Sequence, residues 1–139
     1  MTELLGHVLV PVANEDDAAA TARALAPYSP SRVTALHVVE KGGGVPDKTP
    51  VEQSEQIAEA AFEAIRETFP DAGGEKAYGR DVVASILDAA TDLGATAVAF
   101  RPREGSRLTR FLSGDLSERL VTESELPVLA LPREEDSEE

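Results

Sequence analysis

Arg101, Arg103, Arg107 and Arg110 fall within ten residues and supply four of the chain's ten arginines. A guanidinium presents a planar fork of donors that grips phosphate or carboxylate in bidentate fashion, so this run offers an anion site. The same arginines can instead pair with Glu104, Asp115, Glu118 or a neighbouring subunit, and the acidic surroundings favour that structural role. Asp115 with Glu118 three residues on fits helix capping better than acid–base catalysis. Glu15, Asp16 and Asp17 are consecutive, and adjacent residues on a helix diverge in direction. First-turn capping therefore accounts for them better than a divalent-cation site. His7 and His37 fall on expected strands with no second histidine at ligand spacing and no adjacent serine nucleophile, which marks them as core or sheet-edge residues. Gly42-Gly43-Gly44 lacks the Lys-Ser/Thr that completes a phosphate loop, and there is no G-x-S-x-G elbow. The chain has no cysteine, which excludes disulfides, thiolate zinc sites, iron–sulfur clusters and thiol nucleophiles. No catalytic residue, metal or cofactor is expected.

The elements that must position these residues can be read from hydrophobic periodicity. Gly6 to Val12 is a nearly continuous apolar run, the pattern of a strand buried on both faces of a parallel sheet. Asn14 caps a helix whose Ala18, Ala22 and Leu25 repeat at helical spacing, and Pro27 and Pro30 stop it. Val33 to Val39 forms a second strand rich in β-branched residues. Lys41 to Asp47 is a loop that ends in Thr49-Pro50-Val51-Glu52, a capping box with proline at the first helical position. In the helix that follows, Ala58, Ala61, Phe62, Ile65 and Phe69 share one face. A short, weak edge strand is expected near Glu75 to Tyr78. Asp81 caps a third helix with a stripe of Val82, Ile86, Ala89, Ala90 and Leu93, and Gly94 sits where a left-handed cap belongs. Thr96 to Phe100 is a fourth strand and Arg101 to Ser113 a loop. Asp115 to Glu123 is a helix expected to bury Leu116, Leu120 and Val121, and Pro127 to Pro132 is a terminal strand. Five strands alternating with four helices give an α/β domain with a doubly wound, Rossmann-like parallel sheet over residues 1–133. Residues 134–139 read as a disordered acidic tail.

In such a sheet a ligand binds beyond the carboxyl ends of the strands where strand order reverses, which points to Ala13 to Glu15 and to Arg101 to Ser113. The stretches His7 to Val12, Leu36 to Val39, Gly79, Gly105 to Gly114 and Leu126 to Leu129 resemble the universal stress protein (UspA) family over nearly the whole chain. The resemblance implies strand order 3-2-1-4-5 and, commonly, a dimer. ATP-binding members carry an aspartate at the end of the first strand and a G-x2-G-x9-G-[S/T] motif after the fourth. Counting back from Gly114 places Arg101 and Glu104 at the first two glycines and Asp115 at the hydroxyl, while Ala13 takes the aspartate's place. The resemblance is therefore to the family's non-ATP-binding branch. It puts a degenerate nucleotide site at Ala13, Asn14, Arg101, Arg103, Glu104, Arg107, Gly114 and Asp115, with Arg101, Arg103 and Arg107 as candidate anion contacts.

Charge narrows the partners. With 26 acidic and 13 basic residues and a net charge of −13, the surface is unsuited to nucleic-acid phosphates or anionic lipid. Three lysines against ten arginines, together with the acid excess, resemble a salt-in halophile's composition, with an ordinary acidic mesophile protein as the plainer alternative. No run approaches the length of a membrane span and the N-terminus is unlike a signal peptide, so a cytoplasmic location is expected. The expected function is a non-enzymatic, dimeric regulatory or binding module, paired through Val128, Leu129, Ala130 and Leu131. The alternative is a nucleotide-binding switch or slow ATPase that uses the arginine loop in place of glycines. A third reading is an adaptor that meets a protein partner through an acidic helical face.

Overall fold

The structure is a computed structural model, and it describes residues 3–40, 51–101 and 114–132. Five parallel strands form one sheet in the order β3-β2-β1-β4-β5, as expected. They are β1 (Val8–Pro11), β2 (Val33–Glu40), β3 (Gly73–Gly79), β4 (Ala97–Phe100) and β5 (Val128–Ala130). The helices between them are α1 (Glu15–Leu25), α2 (Val51–Thr68), α3 (Val82–Leu93) and α4 (Gly114–Glu123). A parallel neighbour can be reached only by crossing over the sheet, so each helix must lie on a face, and the two faces acquire separate cores. Val8, Val10, Val12, Val33 and Ala35 project to one face, where Ala18, Ala22 and Leu25 of α1 and Ala58, Phe62 and Ile65 of α2 cover them. Leu9, Leu36, Val38, Val98 and Phe100 project to the other, under Val83, Ile86 and Ala90 of α3 and Leu120 of α4. Every residue of β1 and β4 is buried, which is why both read as unbroken apolar runs.

The helix ends obey local chemistry. Asn14 Oδ1 accepts from the Asp17 amide at 2.8 Å, and Asp81 Oδ1 accepts from the Ala84 amide at 3.1 Å. Gly94 closes α3 at φ 72°, a left-handed conformation that costs a side-chain-bearing residue about 1 kcal/mol or more. The proposed cap at Thr49 and Pro50 lies outside the described residues, as does the tail at 134–139. Two expectations need correction. The edge strand expected at Glu75 to Tyr78 runs over seven residues, from Gly73 to Gly79, in continuous register with β2 from Thr34 to Glu40. It is longer than its composition suggested because glycine serves packing here: a Cβ on Gly74 would lie 2.6 Å from the Phe62 ring, so only a bare backbone lets α2 close onto the strand. Val121 is not buried. It is 56% exposed on the outer side of α4, whereas Leu120 beside it is fully buried.

Candidate functional site

The sheet reverses direction of winding at β1, which is flanked by β2 on one side and β4 on the other. The crevice for a ligand therefore opens beyond Pro11 and Phe100. The chain leaving β1 passes Val12 and Ala13 and enters α1 at the Asn14 cap, while the chain leaving β4 delivers Arg101. Asp17, in the first turn of α1, is fully buried, and Arg101 is 7% exposed. Asp17 Oδ2 accepts the Ala13 amide at 2.8 Å, and Asp17 Oδ1 stands 3.9 Å from a terminal nitrogen of Arg101. The Thr21 hydroxyl donates to the Asp17 carbonyl at 2.7 Å and holds that turn from the next. A carboxylate and a guanidinium are thus sealed together in the mouth of the crevice. Both charges have lost their water, so removing either one strands the other. The Nε of Arg101 has no hydrogen-bond partner among the described residues.

Two expectations meet this arrangement. Arg101 has a described partner in Asp17, across the crevice; the pairings expected with Glu104 and Asp115 fall on side chains outside the described residues. Asp17 was read with Glu15 and Asp16 as a first-turn capping acid; it does stand in that turn, but those two are exposed and Asp17 turns inward. A signal for it was present. Asp17 stands four residues before the buried Thr21, on the flank of the Ala18, Ala22 and Leu25 stripe, so helical spacing alone aims it at the sheet. Ala13 contributes its amide and Asn14 its cap, so the structure brings Ala13, Asn14 and Arg101 together at one crevice. Arg103, Glu104 and Arg107 lie outside the described residues. Gly114 and Asp115 begin α4.

Both histidines serve the scaffold. His37, on β2, donates from Nδ1 to the Val12 carbonyl at 3.2 Å, immediately before Ala13. Burial lowers its pKa below the ordinary 6.5, the Val12 hydrogen bond opposes that shift, and the positive charge of Lys76 adds to it. His7 sits at the opposite end of β1, where its Nε2 meets the Thr34 hydroxyl at 2.8 Å. Its backbone amide donates to the Thr96 hydroxyl at 2.9 Å. Burial and the charge of Arg32 lower its pKa too. No group of three or more histidine or acidic side chains with metal-binding geometry occurs among the described residues, and no described helix is long and apolar enough to cross a membrane.

A sequence model of the Universal stress protein family matches residues 5–132. No curated protein matches the sequence. Among solved structures, the chain is similar to a universal stress protein from Archaeoglobus fulgidus, with 20% identity, 90% of this chain and 92% of that one covered, and a TM-score of 0.64. The universal stress protein from Archaeoglobus fulgidus solved in complex with dAMP gives 21% identity, 89% and 95% coverage, and a TM-score of 0.63. The universal stress protein UspA from Lactobacillus plantarum gives 21% identity, 94% and 99% coverage, and 0.62. At these identities the likeness is one of fold.

Proposed function

The chain belongs to the universal stress protein family, and we propose that it acts as a non-enzymatic, dimeric regulatory or binding module whose nucleotide site is closed by its own side chains. The carrying observation is the buried pair of Asp17 and Arg101 in the mouth of the crevice. A nucleotide's phosphates need open backbone amides and a positive field at a helix N-terminus. Here the Ala13 amide is already given to Asp17, the carboxylate of Asp17 occupies the entrance to α1, and the guanidinium that could meet phosphate is held against that carboxylate. Arg101 and Glu104 also replace the glycines that would let backbone approach a ligand, and Asp115 replaces the hydroxyl. A relative of the same fold has been solved with dAMP, so the architecture itself admits a nucleotide and the proposed closure rests on these positions.

One observation favours a second reading. Arg101 Nε is a buried donor with no partner among the described residues, which is the condition an incoming anion would relieve. In that case the chain is a nucleotide switch in which phosphate competes with Asp17 for Arg101. The two readings separate in the purified protein: after purification in molar potassium chloride and denaturation, the first expects no released nucleotide, and near-stoichiometric release overturns it.

For the dimer we propose antiparallel pairing of β5 with its two-fold copy. β5 ends the sheet, its Val128 and Leu129 are only half-buried, and the exposed Val121 lies on the preceding helix. Unpaired backbone and apolar surface at one edge favour coverage by a second copy. A high-salt environment belongs to the same proposal and rests on composition, and cytoplasmic residence is proposed with it, in keeping with the lack of any described helix able to cross a membrane.

A further inference from the structure

The other edge of the sheet carries a different opportunity. β3 pairs only with β2 among the described strands, and none of its seven residues is buried: Gly73, Glu75, Lys76 and Tyr78 are exposed and the other three half-buried. That is a longer open edge than the three residues of β5. Long edges invite another strand unless something guards them. The one cationic guard, Lys76, is drawn 3.6 Å from Glu59 of α2, so its charge is turned toward the protein's own helix.

Carboxylates at helical spacing stand on both helices that flank the strand. On α2, Glu59 reaches Lys76 of the strand, and Glu55 and Glu63 lie one turn before and after it, all three exposed. Toward α3 a groove of about 300 Å³ runs along the strand, with Leu36, Ala77, Ala89 and Leu93 as its apolar floor and Glu75, Asp88 and Asp92 along it, three carboxylates against the single cation Lys76, which also lines it beside Tyr78. A strand added at the edge would send its side chains alternately to the two faces. On the α3 side a long side chain lays its methylenes over the floor and its head on Asp88 and Asp92; on the α2 side a second head meets the glutamate row. Lysine and arginine have this form.

We propose that the outer edge of β3 is a docking site for an extended, lysine- or arginine-bearing segment of another protein, which adds to the sheet as a sixth strand. Backbone pairing supplies the affinity and the two carboxylate rows supply the preference for basic side chains. The proposal is independent of the nucleotide site, since the edge lies on the far side of β2 from the crevice between β1 and β4.

The test uses the full chain and fluorescein-labelled heptapeptides at about 0.15 M salt, where unspecific attraction is screened beyond about 8 Å. Three probes are titrated by fluorescence anisotropy: alternating Val-Lys, alternating Val-Glu, and alternating Pro-Lys, which keeps the charge but cannot pair as a strand. The expected result is saturable binding of the Val-Lys peptide alone, with amide exchange slowed by it at residues 73–79 and nowhere else. Asp88→Asn with Asp92→Asn should weaken that binding roughly fivefold, and Glu15→Gln with Asp16→Gln, far from the edge, should leave it unchanged. Equal binding of the Pro-Lys peptide, slowed exchange elsewhere, or no binding of the Val-Lys peptide would each overturn the proposal. So would a dimer in which a second copy already protects the β3 amides.

Discussion

Asp17 and Arg101 stand 3.9 Å apart with almost no exposure to water, and each holds the other's charge in a place where neither would be stable alone. Arg101→Met should therefore lower stability by roughly 3 kcal/mol, and Asp17→Leu by a similar amount. The double variant should lose much less than the sum, because a matched apolar pair leaves no buried charge behind. Urea unfolding of the four proteins checks this, and simple additivity would show that the two side chains do not act as a pair. The histidines predict a pH dependence. Both fold with pKa values below the ordinary 6.5, mainly through burial. The unfolded chain then binds protons that the folded chain refuses, so stability is complete above about pH 6.5 and falls as pH drops from there toward the lowered folded values. His37→Asn keeps a donor for the Val12 carbonyl and removes the titration, so its melting temperature should fall less than that of the parent between about pH 7 and about pH 5. Parallel curves would remove His37 as a source of the slope. Most of the other site residues could be named from the sequence, since Ala13, Asn14 and Arg101 follow from strand ends and motif spacing. Asp17 was missed because three consecutive acids at a helix start satisfy the capping pattern equally well, and that pattern masks the spacing to the Ala18, Ala22 and Leu25 stripe that singles out the buried one.

At the scale of elements the strands and helices were legible because each carries one strong local signal. β1 and β4 are unbroken apolar runs, α1 and α3 have side-chain caps at Asn14 and Asp81, and α3 has a glycine where the backbone turns left-handed. β3 was legible only in part. Its residues Gly73 to Gly79 have little strand propensity and owe their conformation to seven register pairs with β2. Val121 was misplaced for a related reason: α4 has apolar residues on adjacent positions, and periodicity alone does not say that the sheet takes Leu120 and leaves its neighbour outside. Gly74 gives the element-scale prediction. Its absent Cβ would approach the Phe62 ring to 2.6 Å, so Gly74→Ala should cost about 1–3 kcal/mol by forcing α2 away from β3. A second substitution, Phe62→Leu, should return part of that loss. Unchanged stability in Gly74→Ala would mean that α2 and β3 do not pack this closely.

The whole molecule carries 26 acidic residues against 13 basic ones, a surface whose self-repulsion is screened within about 3 Å at molar salt. Its melting temperature should rise steadily from low salt to molar potassium chloride, and a flat or falling profile would contradict adaptation to a saline interior. In sedimentation at micromolar concentration in high salt the chain should run as a dimer. A monomer there would leave the β5 edge without its proposed partner. This member of its family keeps the doubly wound sheet, and its crevice is proposed to be closed by Asp17 and Arg101. Calorimetric titration of the wild-type chain with ATP in molar potassium chloride tests it most directly. Beside the wild type belongs a variant with Ala13→Asp, Asp17→Ala, Arg101→Gly, Glu104→Gly and Asp115→Ser, in which the buried pair is removed as a unit and a thermal melt verifies folding. No micromolar binding is expected of the wild type and binding is expected to be gained by the folded variant; micromolar binding of ATP by the wild type would show that the crevice is open.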